Sequence, residues 1–406
     1  MKQTNNSTRL HIGLFGRRNS GKSSIINRLT GQNLSIVSDV PGTTTDPVKK
    51  AVEIPGLGPV VIIDTAGIDD SSELGFLRII KTKQTLKQVD LAIIVVCNNS
   101  FDDFEIQLIE QVQQLKIPFI LLHNKSDEFP ADIDFAANLQ ELYKADFLNF
   151  SAKTGENIEE LLMLLKKNIP ENFERLPPLF GDLLESGDMV VLVTPIDSEA
   201  PKGRLILPQV QAIREALDYD CMVTVLKETE LNDFIKLSSF IPSLVITDSQ
   251  LFGKIDKLIP PEIPLTSFSI LLARQKGNFE AYLEGTPQID KLQNGDRILI
   301  LESCTHHSGC DDIGRVKIPR WMQEYTGCQL EFDVVSGLDE PPRPVAEYAL
   351  VIQCGGCMIT PKQLRNRIEG VINENVPITN YGMAIAYLKG SWKRSLELFP
   401  TSSNFL

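Results

Sequence analysis

Gly16-Arg17-Arg18-Asn19-Ser20-Gly21-Lys22-Ser23 is the stretch that decides the fold. It has the glycine, four-residue, glycine-lysine-serine spacing of a phosphate loop. Its neighbours supply the context the motif needs: Leu10 to Phe15 before it reads as a strand, and Ile25, Ile26 and Leu29 after it share one face of a helix. Glycines let backbone N–H groups close on phosphate oxygens at a helix N-terminus, where the helix dipole favours an anion. Gly16, Asn19, Ser20 and Gly21 are the expected loop contacts, with Ser24 beside them in the first helical turn. Lys22 is expected to reach the β and γ phosphates and Ser23 to ligate Mg2+.

Three further motifs follow in order. Asp64-Thr65-Ala66-Gly67 comes after the apolar run Val60 to Ile63, so Asp64 stands near the magnesium and the Gly67 N–H near the γ-phosphate. Asn124-Lys125-Ser126-Asp127 comes after Phe119 to Leu122. The Asp127 carboxylate can accept from the N1–H and the exocyclic amine of guanine. Adenine presents the opposite pattern and would leave a buried acceptor unpaired, at a cost of about 1–3 kcal/mol. Ser151-Ala152-Lys153, after Phe147 to Phe150, completes the base pocket, so the expected ligands are GTP and GDP.

Between the first two motifs, Gly42-Thr43-Thr44-Thr45-Asp46 supplies the hydroxyls of a first switch. These N-terminal 170 residues resemble the GTPases of the Era and tRNA-modification group, with an Asn in the phosphate loop and a Gly-Thr-Thr switch. The resemblance implies that Thr44 joins Ser23 and Asp64 in the magnesium shell and that Asn19 helps hold K+. Lys22, Thr44, Asp64 and Gly67 are then the catalytic set. Thr45 stands where that group has arginine, so the arginine's contacts are not carried over. Ile68 follows Gly67 where Ras-type proteins place a water-orienting glutamine, and intrinsic hydrolysis is expected to be slow.

The chain has 406 residues, enough for two or three domains with cores of their own. Its 53 acidic against 40 basic side chains, net charge −13, disfavour nucleic acid as a partner. Seven cysteines are too few and too odd in number for a secreted disulfide framework. The longest apolar runs, such as Leu91 to Cys97, fall far short of the ~20 residues of a membrane span. A cytoplasmic protein with no membrane partner is expected. The expected architecture is α/β: a P-loop domain at 1–172 and two smaller α/β domains at 180–265 and 266–406, with Pro170 to Pro178 as a linker. In the middle part Met189 to Val193, Arg204 to Leu207, Met222 to Leu226 and Leu244 to Thr247 read as strands and Gln209 to Leu217 as a helix. In the last part Arg297 to Leu301 and Tyr348 to Ile352 read as strands and Pro361 to Ile372 as a helix. No internal repeat stands out.

Cys304-Thr305-His306 and Cys354-Gly355-Gly356-Cys357 each follow one of the last two strand-like runs. Ligands gather at the carboxyl ends of strands in an open α/β sheet, so the two groups can converge. Three thiolates and an imidazole suit tetrahedral zinc; three thiolates equally suit an iron–sulfur cluster with one iron open. Spacing leaves both open.

The whole arrangement, a potassium-type GTPase, a middle α/β part and a C-terminal Cys-x-His with Cys-x-x-Cys, resembles the HydF family of FeFe-hydrogenase maturation GTPases. The resemblance implies a 4Fe-4S cluster on Cys304, Cys354 and Cys357, with an exchangeable fourth position open to His306, His307, Asp311, water or a residue of another subunit. It also implies a homodimer or higher oligomer through the middle domain, and a diiron precursor received from radical SAM maturases and delivered to apo FeFe-hydrogenase. Where the family has a histidine before Cys-x-x-Cys, this chain has Gln353, a poor iron ligand. The alternative is an RNA- or ribosome-associated GTPase with a structural zinc; it calls for a basic RNA-binding module, of which the C-terminal half shows no sign.

Overall fold

A computed structural model describes residues 6–31, 47–65, 82–170, 176–196, 205–238, 240–303, 312–400 and 402. Contacts divide the chain into two compact units, Met1–Arg175 and Leu176–Leu406.

The first unit holds a six-stranded sheet of β1 (Leu10–Gly16), β2 (Val48–Ile54), β3 (Gly58–Asp64), β4 (Leu91–Val96), β5 (Phe119–Asn124) and β6 (Asp146–Phe150) in the order β2-β3-β1-β4-β5-β6. All neighbours are parallel except the β2–β3 hairpin. β1 and β4 are buried along their whole length, which is why they read as unbroken apolar runs. β2 did not read as a strand because it is an edge: Val48 and Lys49 are exposed and only Ile54 is fully buried. The helices Lys22–Thr30, Asp103–Gln114, Ile133–Tyr143 and Ile158–Lys167 cover the sheet. Phosphate-loop, Asp64, Asn124 and Ser151 segments all lie at the carboxyl ends of their strands.

The second unit holds two four-stranded sheets, each wholly parallel. The first comprises β7 (Met189–Val193), β8 (Met222–Leu226), β9 (Leu244–Thr247) and β10 (Leu265–Ser267), ordered β10-β9-β7-β8. The second comprises β11 (Arg297–Leu301), β12 (Glu331–Val335), β13 (Leu350–Gln353) and β14 (Ile378–Asn380), ordered β12-β11-β13-β14. Counted in chain order within each sheet, both run second-first-third-fourth. The unit is therefore a structural repeat that the sequence did not disclose. Each fourth strand leads into a helix, Phe268–Lys276 capped by Ser267 and Tyr381–Leu388 capped by Asn380. Ser267 to Gly277 (SFSILLARQKG) and Asn380 to Gly390 (NYGMAIAYLKG) share only Ala, Lys and Gly positions, while the apolar pattern persists.

The two repeats share a core. Val190 to Val193 of β7 bury with Leu299, Leu301 and Val351 in one cluster, while Ile298, Ile300, Leu350 and Ile352 face a second. The two closing helices cross closely: Ser269 Oγ donates to Asn380 Oδ1 at 3.0 Å, and a Cβ on Gly382 would lie 2.9 Å from Ser269 Cβ. β10 pairs with β9, so the middle sheet extends past the expected boundary at 265. The strand expected at Arg204 to Leu207 is not formed: Leu207 opens the Leu207–Asp218 helix, with Arg204 outside the described residues. Pro208 in the first turn suits a helix start, and the Ile206 N–H donates to Gln209 Oε1 at 3.1 Å. Among the described residues, no helix is long and apolar enough to cross a membrane.

Candidate functional site

The phosphate loop is built on backbone that few residues tolerate. Gly21 has φ 90°, and a Cβ there would lie 2.2 Å from Asn124 Nδ2. Asn19 has φ 60°, the left-handed region asparagine accepts better than most residues. The Lys22 ammonium donates to the carbonyls of Gly16 (3.0 Å) and Arg17 (2.8 Å), which holds it across the loop. Arg17 in turn is clamped by Asp102 and by Glu105, whose Oε1 lies 2.8 Å from Nε. Ser23 Oγ donates to Asp64 Oδ2 at 2.9 Å, so the two groups expected at one magnesium ion are together. Burial pushes the Asp64 pKa up, with Ser23, Lys22 and Lys50 acting against it. Thr44, Gly67 and Ile68 lie outside the described residues.

Asn124 ties three segments: its Nδ2 donates to the Ser20 carbonyl at 2.8 Å and its Oδ1 accepts from Ala152 N–H at 3.1 Å. Ser151 Oγ donates to Asp127 Oδ1 at 2.6 Å, and Lys153 Nζ lies 3.5 Å from Asp127 Oδ2. The Ser151 hydrogen bond foremost, and Lys153 after it, hold the Asp127 carboxyl below its usual range. The aspartate is thus an anionic acceptor aimed into a cavity of about 820 Å³, lined by Gly21, Ser24, Asn124, Lys125, Asp127, Ala152 and Lys153. Sequence reading missed Arg28, whose Nε donates to the Ala152 carbonyl at 3.0 Å, and Glu128, 3.2 Å from Lys153 Nζ. Neither belongs to a short motif.

In the second unit, β11 and β13 are paired neighbours. Ser303, next to Cys304 in sequence, donates its backbone N–H to Cys354 Sγ at 3.1 Å, and the Cys354 thiol donates to Ser303 Oγ at 3.0 Å. Gln353 Nε2 lies 3.5 Å from the same sulfur and donates to Ser303 Oγ at 3.2 Å. Burial foremost, with Cys354 nearby, pushes the Cys357 thiol up to about 11. Cys354 and Cys357 are free thiols. Cys304 and His306 lie outside the described residues. Cys328 is away from this edge, its thiol donating to the Leu292 carbonyl at 3.4 Å. Buried polar atoms with no hydrogen-bond partner among the described residues cluster here: Gln353 Oε1, Tyr282 Oη and Lys276 Nζ. Among the described residues no three His, Cys, Asp or Glu side chains come together as a metal site; the donor set they offer at this edge is two thiols, with N–H donors to the Cys354 sulfur.

The sheet, the phosphate loop and the Asn-Lys-x-Asp and Ser-Ala-Lys segments on one cavity define the first unit as a P-loop GTPase domain. Residues 11–125 match the family model described as 50S ribosome-binding GTPase. Residues 179–277 match the hydrogen maturase F dimerization domain, and residues 280–398 the hydrogen maturase F tetramerization domain. The chain belongs to the hydrogen maturase F (HydF) family. It is 36% identical over 160 residues to the tRNA modification GTPase MnmE of Prochlorococcus marinus, covering 39% of this chain and 34% of that one. It is 31% identical over 173 residues to the GTPase Era of Pseudomonas fluorescens, covering 41% and 57%. The chain thus spans about a third to somewhat over half the length of these relatives. A crystal structure of Aquifex aeolicus Era bound to GDP and AlF4− covers 53% of this chain and 92% of its own, with TM-score 0.35 and 20% identity.

Proposed function

We propose that this maturation GTPase is a GTP-hydrolysing scaffold and carrier that binds a 4Fe-4S cluster and delivers a diiron precursor to apo FeFe-hydrogenase. The observation that carries the reading is the Ser303–Cys354 contact at 3.1 Å, which brings the residue beside Cys304 to the Cys-x-x-Cys loop across adjacent strands. Cys304, Cys354 and Cys357 would hold the cluster, which supplies an iron with an exchangeable position; His306 is the candidate fourth ligand. The partners are the radical SAM maturases that make the precursor and the hydrogenase that takes it.

In the first unit, Lys22 and the loop N–H groups bind the phosphates, Ser23, Thr44 and Asp64 hold Mg2+, Asn19 contributes to a K+ site, and Gly67 donates its N–H to the γ-phosphate. Asn124 and Lys125 frame the base, and Asp127, oriented by Ser151, accepts from guanine. With Ile68 in place of a water-orienting glutamine, turnover is slow, as suits a switch governing partner exchange.

Anaerobic purification with iron, sulfide and zinc analysis tests the reading. A brown protein with about four irons per chain and a thiolate-to-iron absorption band is expected. A colourless protein with stoichiometric zinc and no iron would overturn it.

A further inference from the structure

The Phe268–Lys276 helix carries Ser269, Leu272 and Lys276 at three- and four-residue spacing on one face. The Cys354–Cys357 loop lies on that face: a Cβ on Gly355 would be 3.3 Å from Leu272 Cδ1 and 3.6 Å from Ser269 Oγ. One turn beyond Leu272, Lys276 is 3% exposed, and its Nζ has no hydrogen-bond partner among the described residues. Burial pushes its ammonium pKa down; the group acting against that is the Cys357 thiol.

An unpaired ammonium is expensive to bury, and two other cations in the same unit are placed differently. Arg367, half-buried, donates to the carbonyls of Glu302 (2.9 Å) and Val335 (3.4 Å). Lys389, the counterpart of Lys276 in the second repeat, is exposed, with its ammonium 4.1 Å from the Trp321 ring centre. Lys276 alone of the three is fully buried with no partner among the described residues, and the helix face it shares with Ser269 and Leu272 is the one that meets the loop of the proposed metal site.

We propose that Lys276 is a positioning residue of that site, a fixed buried cation that offsets the negative charge of the metal–thiolate centre on Cys304, Cys354 and Cys357. The inference rests on the cluster reading above. A reduced cluster carries one more negative charge than its oxidised form, so a cation behind one thiolate favours reduction and retention of the metal.

Full-length wild type, K276M and K276R, each reconstituted anaerobically with iron and sulfide, test it by redox titration and by iron loss to a chelator. Methionine keeps the length without the charge; arginine keeps the charge. The preference of K276M for the reduced form should fall at least tenfold, about 59 mV for a one-electron couple. Its iron loss should be several-fold faster, with K276R within threefold of wild type on both measures. Without metal, K276M should melt at or above wild type, because an uncompensated buried charge has gone. Equal potentials and iron retention in loaded wild type and K276M overturn the inference alone. Metal-free K276M melting below wild type also overturns it, since the lysine then supports the fold. Wild type that takes up no iron overturns the cluster reading, and the inference falls with it.

Discussion

Ser151 Oγ donates a 2.6 Å hydrogen bond to Asp127 Oδ1, joining the segments that follow neighbouring strands β5 and β6. The hydroxyl fixes the carboxylate that is to read the base. D127N replaces a charged acceptor with a neutral amide and should weaken GTP binding about 10- to 100-fold, roughly the 1.5–3 kcal/mol of a charge-assisted hydrogen bond. S151A should cost less, about 0.5–1.5 kcal/mol. Titration with a fluorescent GTP analogue checks both, and an unchanged D127N affinity would contradict guanine recognition by this residue.

The two carboxylates of the site should titrate apart. Asp127 is held below its usual range by Ser151, so its charge is present at neutral pH and is lost only as pH falls through that lowered value. The affinity ratio of wild type to D127N, in which the protonation of the nucleotide's own terminal phosphate at about pH 6 cancels, should stay level from pH 8 to pH 5. Asp64 is pushed above 3.8 by burial, so it takes up a proton earlier as pH falls. The Mg2+ concentration needed for half-maximal hydrolysis should therefore rise before that affinity ratio declines. Magnesium titrations at a series of pH values measure this, and removing Mg2+ with EDTA should abolish turnover.

Asn19 holds a left-handed backbone that glycine also adopts, so N19G removes the amide while keeping the loop path. Hydrolysis should be several-fold faster in K+ than in Na+ for wild type and equal in the two salts for N19G. Equal wild-type rates would remove the cation role from Asn19.

Serine in place of Cys304, Cys354 or Cys357 should abolish iron retention and hydrogenase activation while leaving GTP hydrolysis within about twofold of wild type. The described residues that line the nucleotide cavity all belong to the first unit. Hydrogenase activation that survives all three substitutions would make the cysteines structural.

The edge strand β8 exposes Met222 (47%) and Val225 (40%), with Leu217 (58%) on the preceding helix, in the segment matching a dimerization domain. An apolar edge of this kind is a pairing surface. M222E with V225E should raise the dissociation constant of the oligomer at least tenfold, read by light scattering across a dilution series, with GTP affinity unchanged.

Much of the first unit was legible because its chemistry is local. Each motif follows its own strand within a few residues, and β1, β3, β4, β5 and β6 are buried enough to read as apolar runs. The edge strand β2 and the Ile133–Tyr143 helix were missed because exposed faces dilute their patterns: Ile133 and Leu142 are exposed on that helix, and among its residues only Leu139 is fully buried. In the second unit β10 and β14 are three residues each, too short for periodicity to register.

Sequence alone determined the phosphate-loop GTPase class and supplied the aspartate proposed to read guanine and the cysteines proposed to hold the cluster, because each is a short run of residue types that a particular chemistry requires. The doubled second-first-third-fourth sheet, the meeting of Ser303 with Cys354 and the burial of Lys276 on the helix that meets the Cys-x-x-Cys loop were decided only by tertiary structure. Those relationships join residues about 50 to 80 positions apart in sequence. Parallel pairing and helix crossing place them, and neither leaves a local signature from which the partner can be read.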